Sequence, residues 1–197
     1  CQKITLAYAN RHSSPPYRWA LALHTFEEGV FWQKGGNAFD AAVAVSACLG
    51  VVYPHMTGLG GDTFWLTYEK KDGKIRASNG SGRSGSNVSR DTYSGEKTIP
   101  FRGIKSAITV PGMVDSWDAI LKEYGTLTLE DVLEPVIEYA ENGFPITKNQ
   151  VVYTEKNWGW LSTTPITADI YAPGGQVPQV GERFVQKDLA RCEINCG

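Results

Sequence analysis

The stretch 35–68, GGNAFDAAVAVSACLGVVYPHMTGLGGDTFWLTY, constrains the fold most, because it joins an apolar helix to a glycine turn and a strand. Asn37 is a favourable N-cap, and Asp40 can accept a hydrogen bond from the Asn37 N–H, which predicts a helix that begins at Ala38. Pro54 ends this helix at Tyr53. Its residues are apolar on nearly every side, which indicates a helix enclosed by protein, and it is too short to span a bilayer. Its alanines favour close packing over a sheet, as in a layered domain, and we expect it to cover a sheet that includes residues 63–79.

A glycine turn and a hairpin follow the helix. Gly58, Gly60 and Gly61 offer positions where the backbone can take positive φ or approach another group closely. The alternation in 63–68 predicts a strand, and Asp72-Gly73 predicts a tight turn into a second strand over 74–79. No Gly-Lys-Ser/Thr follows these glycines, which excludes a P-loop, and they lead from a helix into a strand, which is the reverse of the order in a dinucleotide fingerprint. A tight turn packed under a sheet is the simplest interpretation.

Composition narrows the class of protein. The 197 residues are 42% hydrophobic, which is enough for a substantial core and favours one domain. The net charge of −2, with 19 Lys+Arg against 21 Asp+Glu, gives no reason to expect nucleic acid as a partner. The four cysteines are too few and too uneven for a disulfide framework, so they do not indicate a compartment, and localisation stays open. The spacing of the three histidines does not predict a metal site, and no cofactor is expected.

Further elements are predicted along the chain. Residues 4–8 are typical of a short strand, and residues 17–31 of a helix. Pro111 favours the first turn of a helix with a buried stripe, and Gly125 ends that helix. Thr128 and Asp131 form a capping-box pattern for a helix over 129–133, and Pro135 is expected to break it before a second helix that ends at Gly143.

Three aromatic residues, Trp158, Trp160 and Tyr171, lie in a stretch rich in Thr, Pro and Gly that is typical of a loop. Partial burial under that loop is the first interpretation, and an aromatic platform for a ligand is the alternative.

The loop 80–85, GSGRSG, contains a single cation, Arg83. One interpretation is a solvated turn. The other is an anion site, because a guanidinium can bind a carboxylate through two hydrogen bonds while nearby Ser hydroxyls and backbone N–H groups complete the contacts.

Several separate motifs follow one another along the chain, GGNAFDAAVAV, VVYPHMTGLGGDTFWLTY, NGSGR and ITVPGMVDSWDAILKEYGTLTLEDVLEPVIEYAENGFPIT. In sequence and in order they resemble the γ-glutamyltransferase (γ-glutamyltranspeptidase) family, including its acylase-like branch. The resemblance covers about residues 35–147 of the large-subunit region. It implies an α+β fold, an αββα sandwich of the N-terminal nucleophile hydrolase type, of which residues 1–197 are expected to be a single incomplete domain.

The resemblance also implies a mechanism. Family members resemble enzymes in which a precursor cleaves itself and a Thr at the new N-terminus supplies both the nucleophilic hydroxyl and, through its α-amine, the base. That Thr is expected outside this chain, so the chain alone should be inactive, with no catalytic residue of its own. The expected partners are a small γ-glutamyl or acyl-amide substrate and the rest of the large subunit together with the small subunit.

The resemblance implies a substrate contact as well. The family's corresponding loop supplies an Arg that holds the substrate's α-carboxylate. Counting back from Arg90-Asp91, Ser81 takes that position and Arg83 lies two residues later, a pattern closer to the acylase-like branch. Arg83 and Ser81 are therefore the predicted substrate-binding residues, and strict γ-glutamyl specificity is not expected.

Two alternatives stay open. Cys1 combines a thiol with a free α-amine, the arrangement of cysteine-type N-terminal nucleophiles. A truncated, non-catalytic family fragment or binding module is the alternative to a γ-glutamyltransferase-like enzyme that cleaves amides such as glutathione and transfers the acyl group to water or to an amino acceptor.

Overall fold

The computed structural model describes residues 34–194, except residues 104, 107 and 108. The predicted strand over 4–8, the predicted helix over 17–31 and Cys1 lie outside the described residues. In chain order the described elements are α1 (Ala38–Val52), β1 (Thr63–Glu69), β2 (Lys74–Gly80), α2 (Met113–Tyr124), α3 (Leu129–Asn142), β3 (Phe144–Pro145), α4 (Lys148–Leu161), α5 (Pro165–Tyr171), β4 (Arg183–Phe184) and α6 (Lys187–Ile194). Short 3₁₀ turns occupy Arg90–Tyr93 and Pro173–Gly175.

The core is built mainly from helices. Helix α1 packs against α3 and α2, and α3 also packs against α6. The fully buried side chains of these helices include Val43, Val51, Trp117, Val132 and Val136. Burial of one such aliphatic side chain contributes about 1.5–3 kcal/mol, so this contact between helices is the main stabilising feature of the described fold.

The capping signals at the starts of two helices are confirmed. The Asn37 side chain accepts from the N–H groups of Phe39 and Asp40, and the Asp40 carboxylate accepts from the Asn37 N–H, which completes a capping box. Thr128 and Asp131 form the same reciprocal pair at the start of α3. Helix α2 begins at Met113 with Gly112 as its N-cap, so Pro111 precedes the helix, and the prediction that this proline occupies the first turn is wrong.

The hairpin β1-β2 is antiparallel, with Thr63 opposite Gly80 and Tyr68 opposite Ile75. Sequence alone predicts that helix 38–53 covers this sheet, but the helix that lies against the hairpin is chiefly α2. The Trp65 indole N–H donates to the Ser116 hydroxyl at 2.7 Å, which fixes that contact. The second sheet, β3-β4, pairs Phe144 with Phe184.

The predicted break at Pro135 is wrong, because α3 runs without interruption from Leu129 to Asn142. A proline inside a helix leaves one carbonyl unpaired and strains the preceding turn. Here the Thr128 cap, the chain reversal at Gly143 (φ 79°) and a buried face outweigh that cost. The buried face comprises Leu129, Val132, Leu133, Val136 and Ala140.

The prediction of a loop around the three aromatic residues is also wrong. Trp158 and Trp160 lie in α4, and Tyr171 ends α5. The Thr147 hydroxyl caps α4 by accepting from the Gln150 N–H at 3.2 Å, a signal that the Thr- and Gly-rich composition obscured. Trp160 is 56% exposed, whereas Tyr171 stacks on Phe184 with ring centroids 5.8 Å apart.

The described elements thus confirm a fold that mixes helices and strands. The αββα sandwich stays a prediction. None of the helices in the described ranges has the length and apolar character needed to cross a membrane.

Candidate substrate-binding site

The loop that follows β2 carries both predicted site residues. Ser81 and Arg83 are exposed and two residues apart. The Asn79 side-chain oxygen accepts hydrogen bonds from the Ser81 N–H at 2.9 Å and from the Ser81 hydroxyl at 2.6 Å. This turn, closed by the Asn side chain, fixes the direction in which the chain leaves the strand. In this turn the Ser81 hydroxyl already donates its proton to the Asn79 side-chain oxygen.

The loop lies directly on the segment that leads into α2. The Val110 N–H donates to the Arg83 carbonyl at 2.8 Å, and Ser84 bridges to Thr109 in antiparallel fashion. A Cβ atom on Gly82 would lie 1.5 Å from the Val110 carbonyl oxygen. Only glycine allows this approach, so the glycine that precedes Arg83 in NGSGR has a steric cause.

A second close approach lies at the start of α2. A Cβ atom on Gly112 would lie 2.4 Å from the Gly80 carbonyl oxygen, and one on Gly80 would lie 2.6 Å from the Ser116 Cβ and Oγ. The two backbones therefore meet without any side chain between them. The Arg83 loop is fixed to α2 by backbone contacts rather than left as a free turn.

Asp62 joins this loop to the glycine turn, a role that the sequence did not reveal. Its Oδ1 accepts from the Gly82 N–H at 3.2 Å and from the Thr109 hydroxyl at 3.4 Å. Its position directly after Gly60-Gly61 and before β1 was the available signal. A carboxylate at that point can reach two segments that are distant in sequence.

The glycines of the turn before β1 show neither the positive φ nor the close backbone approach that the sequence suggested. Gly58, Gly60 and Gly61 all lack positive φ. A Cβ atom on Gly58 or Gly60 would meet nothing within 4 Å, and one on Gly61 would make only ordinary contacts. Neither strained backbone nor close approach within the described chain explains these three glycines.

The charge at the loop comes from Arg83. Within the described ranges, the Arg83 guanidinium forms no ion pair, whereas Arg76 on β2 pairs with both Glu69 and Asp72. Arg83 therefore carries a positive charge that no carboxylate of the described residues neutralises. An exposed guanidinium on a fixed backbone is suited to binding an organic carboxylate.

Residues 31–192 match the family model described as Gamma-glutamyltranspeptidase. The chain belongs to the γ-glutamyltranspeptidase family.

Three particular proteins are similar to it. The "Glutathione hydrolase-like YwrD proenzyme" of Bacillus subtilis (strain 168) is 67% identical over 157 residues, which cover 80% of this chain and 30% of that relative. The crystal structure of Helicobacter pylori gamma-glutamyltranspeptidase has a TM-score of 0.82 at 28% identity, covering 98% of this chain and 54% of that chain. The crystal structure of cephalosporin acylase from Bacillus halodurans has a TM-score of 0.78 at 31% identity, and the match covers 88% of this chain and 34% of that chain. The chain thus spans about a third of the curated relative.

Proposed function

We propose that this chain is the front part of a γ-glutamyltransferase-like enzyme that cleaves γ-glutamyl or related acyl amides, such as glutathione, and passes the acyl group to water or to an amino acceptor. The observation that carries the proposal is the exposed Arg83 guanidinium, which has no ion-pair partner among the described residues and lies on a loop fixed by Gly82, Asp62 and Val110. Family membership supports the reaction class.

In this proposal Arg83 binds the carboxylate of the acyl group and so orients the scissile amide. Ser81 contributes less, because its hydroxyl already donates to Asn79. The nucleophile is a Thr outside these 197 residues, whose hydroxyl attacks the amide carbonyl while its α-amine takes the proton. The α-ammonium then returns this proton to the leaving amine as the C–N bond breaks and an acyl-enzyme forms, and water or an amino acceptor attacks the acyl-enzyme and releases the Thr hydroxyl. The name of the Bacillus relative includes "proenzyme", which supports processing of a precursor.

The open face of the hairpin supports a polypeptide partner. Four large apolar side chains on this face, Phe64, Leu66, Tyr68 and Ile75, are 62–78% exposed. The opposite face of the hairpin packs on α2 through Trp65. A sheet with a helix on one face and an uncovered apolar surface on the other is half of a sandwich. We assign the cover to a second sheet from the rest of the large subunit and the small subunit.

Substitution on this face tests the partner proposal. Leu66→Ser is expected to leave the melting temperature of the isolated chain nearly unchanged, because Leu66 is 78% exposed there, while reducing association of that chain. In the complete protein the same change should destabilise strongly, by about 2–4 kcal/mol, since the side chain would be buried. Lys74→Ser at the end of the same hairpin is the control. Equal small effects in both settings would show that the face stays uncovered.

The complete encoded polypeptide tests the reaction. Intact mass should show a precursor that splits into two subunits. The processed protein should release p-nitroaniline from γ-glutamyl-p-nitroanilide and from glutaryl-p-nitroanilide. Pentanoyl-p-nitroanilide, which replaces the carboxylate by a methyl group, should be a poor substrate. Equal turnover of the pentanoyl compound would remove carboxylate recognition from the account. A gene product that stops at Gly197 and releases nothing would favour the alternative, a non-catalytic fragment or binding module.

A further inference from the structure

A pocket of about 440 Å³ lies between the turn after α1 and helices α4 and α5. None of its lining residues belongs to the Arg83 loop. The described lining combines aromatic and apolar side chains with nearly as many polar ones, and it includes His55, Met56, Arg102, Tyr153, Leu161 and Tyr171. This volume and this mixture of side chains are typical of sites for small organic molecules.

The charge of the pocket has one sign. Arg102 is exposed and lines the pocket, and no acidic side chain is among the described residues that do so. Burial lowers the pKa of His55 and so disfavours its charged form, which leaves Arg102 as the main source of charge among the described lining residues. A cation beside apolar and aromatic walls favours an anion with an apolar body.

The His55 imidazole is incompletely satisfied. It lies between the rings of Tyr53 and Tyr153, at centroid distances of 4.1 and 5.2 Å. Both ring nitrogens are buried without a hydrogen-bond partner in the described part of the chain. Unpaired buried polar atoms carry a free-energy cost, which a ligand's polar group would relieve if the ring turned a nitrogen towards the pocket.

We propose that this pocket binds a small organic carboxylate with an aromatic or apolar body, whose carboxylate pairs with Arg102 and whose body packs against Tyr153, Tyr171 and Met56. The Tyr171 ring is held in place by stacking on Phe184, so one wall of the site is formed before binding. This proposal is independent of the substrate assigned to Arg83.

Isothermal titration of the complete processed protein with benzoate tests the site, and benzamide serves as the neutral probe of the same shape. Benzoate should bind in the millimolar range or tighter, and benzamide about tenfold more weakly. Arg102→Met should weaken benzoate binding about tenfold while leaving benzamide binding unchanged. Lys105→Ala removes a cation from the same loop outside the pocket lining and should have no effect on either probe.

Thermal melts of the variants separate loss of binding from loss of folding. Absence of benzoate binding, equal affinity for benzamide, or unchanged benzoate binding in a folded Arg102→Met protein would overturn the proposal. If Arg102→Met fails to fold, Arg102→Lys keeps the charge without the bidentate geometry and should still weaken benzoate binding several-fold. If the Arg102→Lys protein binds benzoate as tightly as the unchanged protein does, and binds benzamide with the same affinity, the proposal is likewise overturned.

Discussion

The Asp40 carboxylate accepts hydrogen bonds from the Thr126 N–H, at 3.0 Å, and from the Thr126 hydroxyl, at 2.8 Å, across 86 residues of sequence. The same carboxylate accepts from the Leu127 N–H at 3.1 Å and from the Asn37 N–H at 2.6 Å. Asp40 is fully buried. One side chain therefore caps α1 and also holds the turn between α2 and α3.

Replacement of Asp40 should be strongly destabilising. Asp40→Ala leaves several part-buried N–H groups without acceptors at once, and we expect a loss of about 2–4 kcal/mol in the free energy of unfolding. Denaturant unfolding of the complete protein measures this loss. Glu130→Ala, which removes an exposed acid from the first turn of α3, is the control and should cost less than about 1 kcal/mol. Similar small values for both would contradict the role given to Asp40.

Replacement of the proline inside α3 should stabilise the protein. Pro135 has no N–H to donate to the Asp131 carbonyl, and proline is about 3 kcal/mol less favourable than alanine inside a helix. Pro135→Ala should therefore raise the melting temperature, with part of the gain offset by the greater freedom of the unfolded chain. A lower melting temperature would show that the half-buried ring makes packing contacts worth more than the helix gains.

The close contact at Gly82 predicts that a larger residue at this position lowers the activity of the complete enzyme. Gly82→Ala places a Cβ atom at 1.5 Å from the Val110 carbonyl oxygen, so the loop must move and carry Arg83 with it. We expect kcat/KM for γ-glutamyl-p-nitroanilide to fall at least about tenfold, since small displacements of positioning groups are costly. Gly85→Ala is the matched control, because its Cβ would lie 3.7 Å from Val88, an ordinary contact. If both alanine variants retain full activity, the loop does not position a substrate group.

Glu193 predicts how stability depends on pH. It is 1% exposed, and burial raises its pKa from 4.5 to about 8. Between these pH values the unfolded chain is ionised while the folded protein keeps the proton, so stability should fall as pH rises from about 4.5 to about 8. Glu193→Gln should remove most of this slope. Melting temperatures at about pH 5 and about pH 9 measure it, and parallel curves for both proteins would contradict a buried, protonated Glu193.

Short-range signals explain what the sequence could predict. The N-caps Asn37 and Thr128 and the helix stops at Gly125 and Gly143 depend on residues three or four positions apart, so one stretch of sequence contains the whole interaction. The alternation in 63–68 likewise placed β1. The positions of Ser81 and Arg83 followed from motif spacing, although their roles stay predictions.

Long-range contacts explain the features that the sequence could not predict. Helix α3 continues through Pro135 because of the faces it packs on, and Asp62 joins Gly82 to Thr109, 20 and 47 residues away. No local pattern reports such partners. The choice of α2 rather than α1 to cover the hairpin depends in the same way on the Trp65–Ser116 contact, across 51 residues.

The most direct test of the account is the response of carboxylate recognition to Arg83 in the complete enzyme. Arg83→Ala should lower kcat/KM for γ-glutamyl- and glutaryl-p-nitroanilide by about 10- to 100-fold, the expected loss of ~1.5–3 kcal/mol from a charge-assisted hydrogen bond. Slow release from the pentanoyl compound should not change, and neither Ser81→Ala nor Arg90→Ala, an exposed cation seven residues away, should have a comparable effect. Unchanged kcat/KM for the carboxylate substrates in Arg83→Ala would contradict the assignment of this loop as the substrate-binding site.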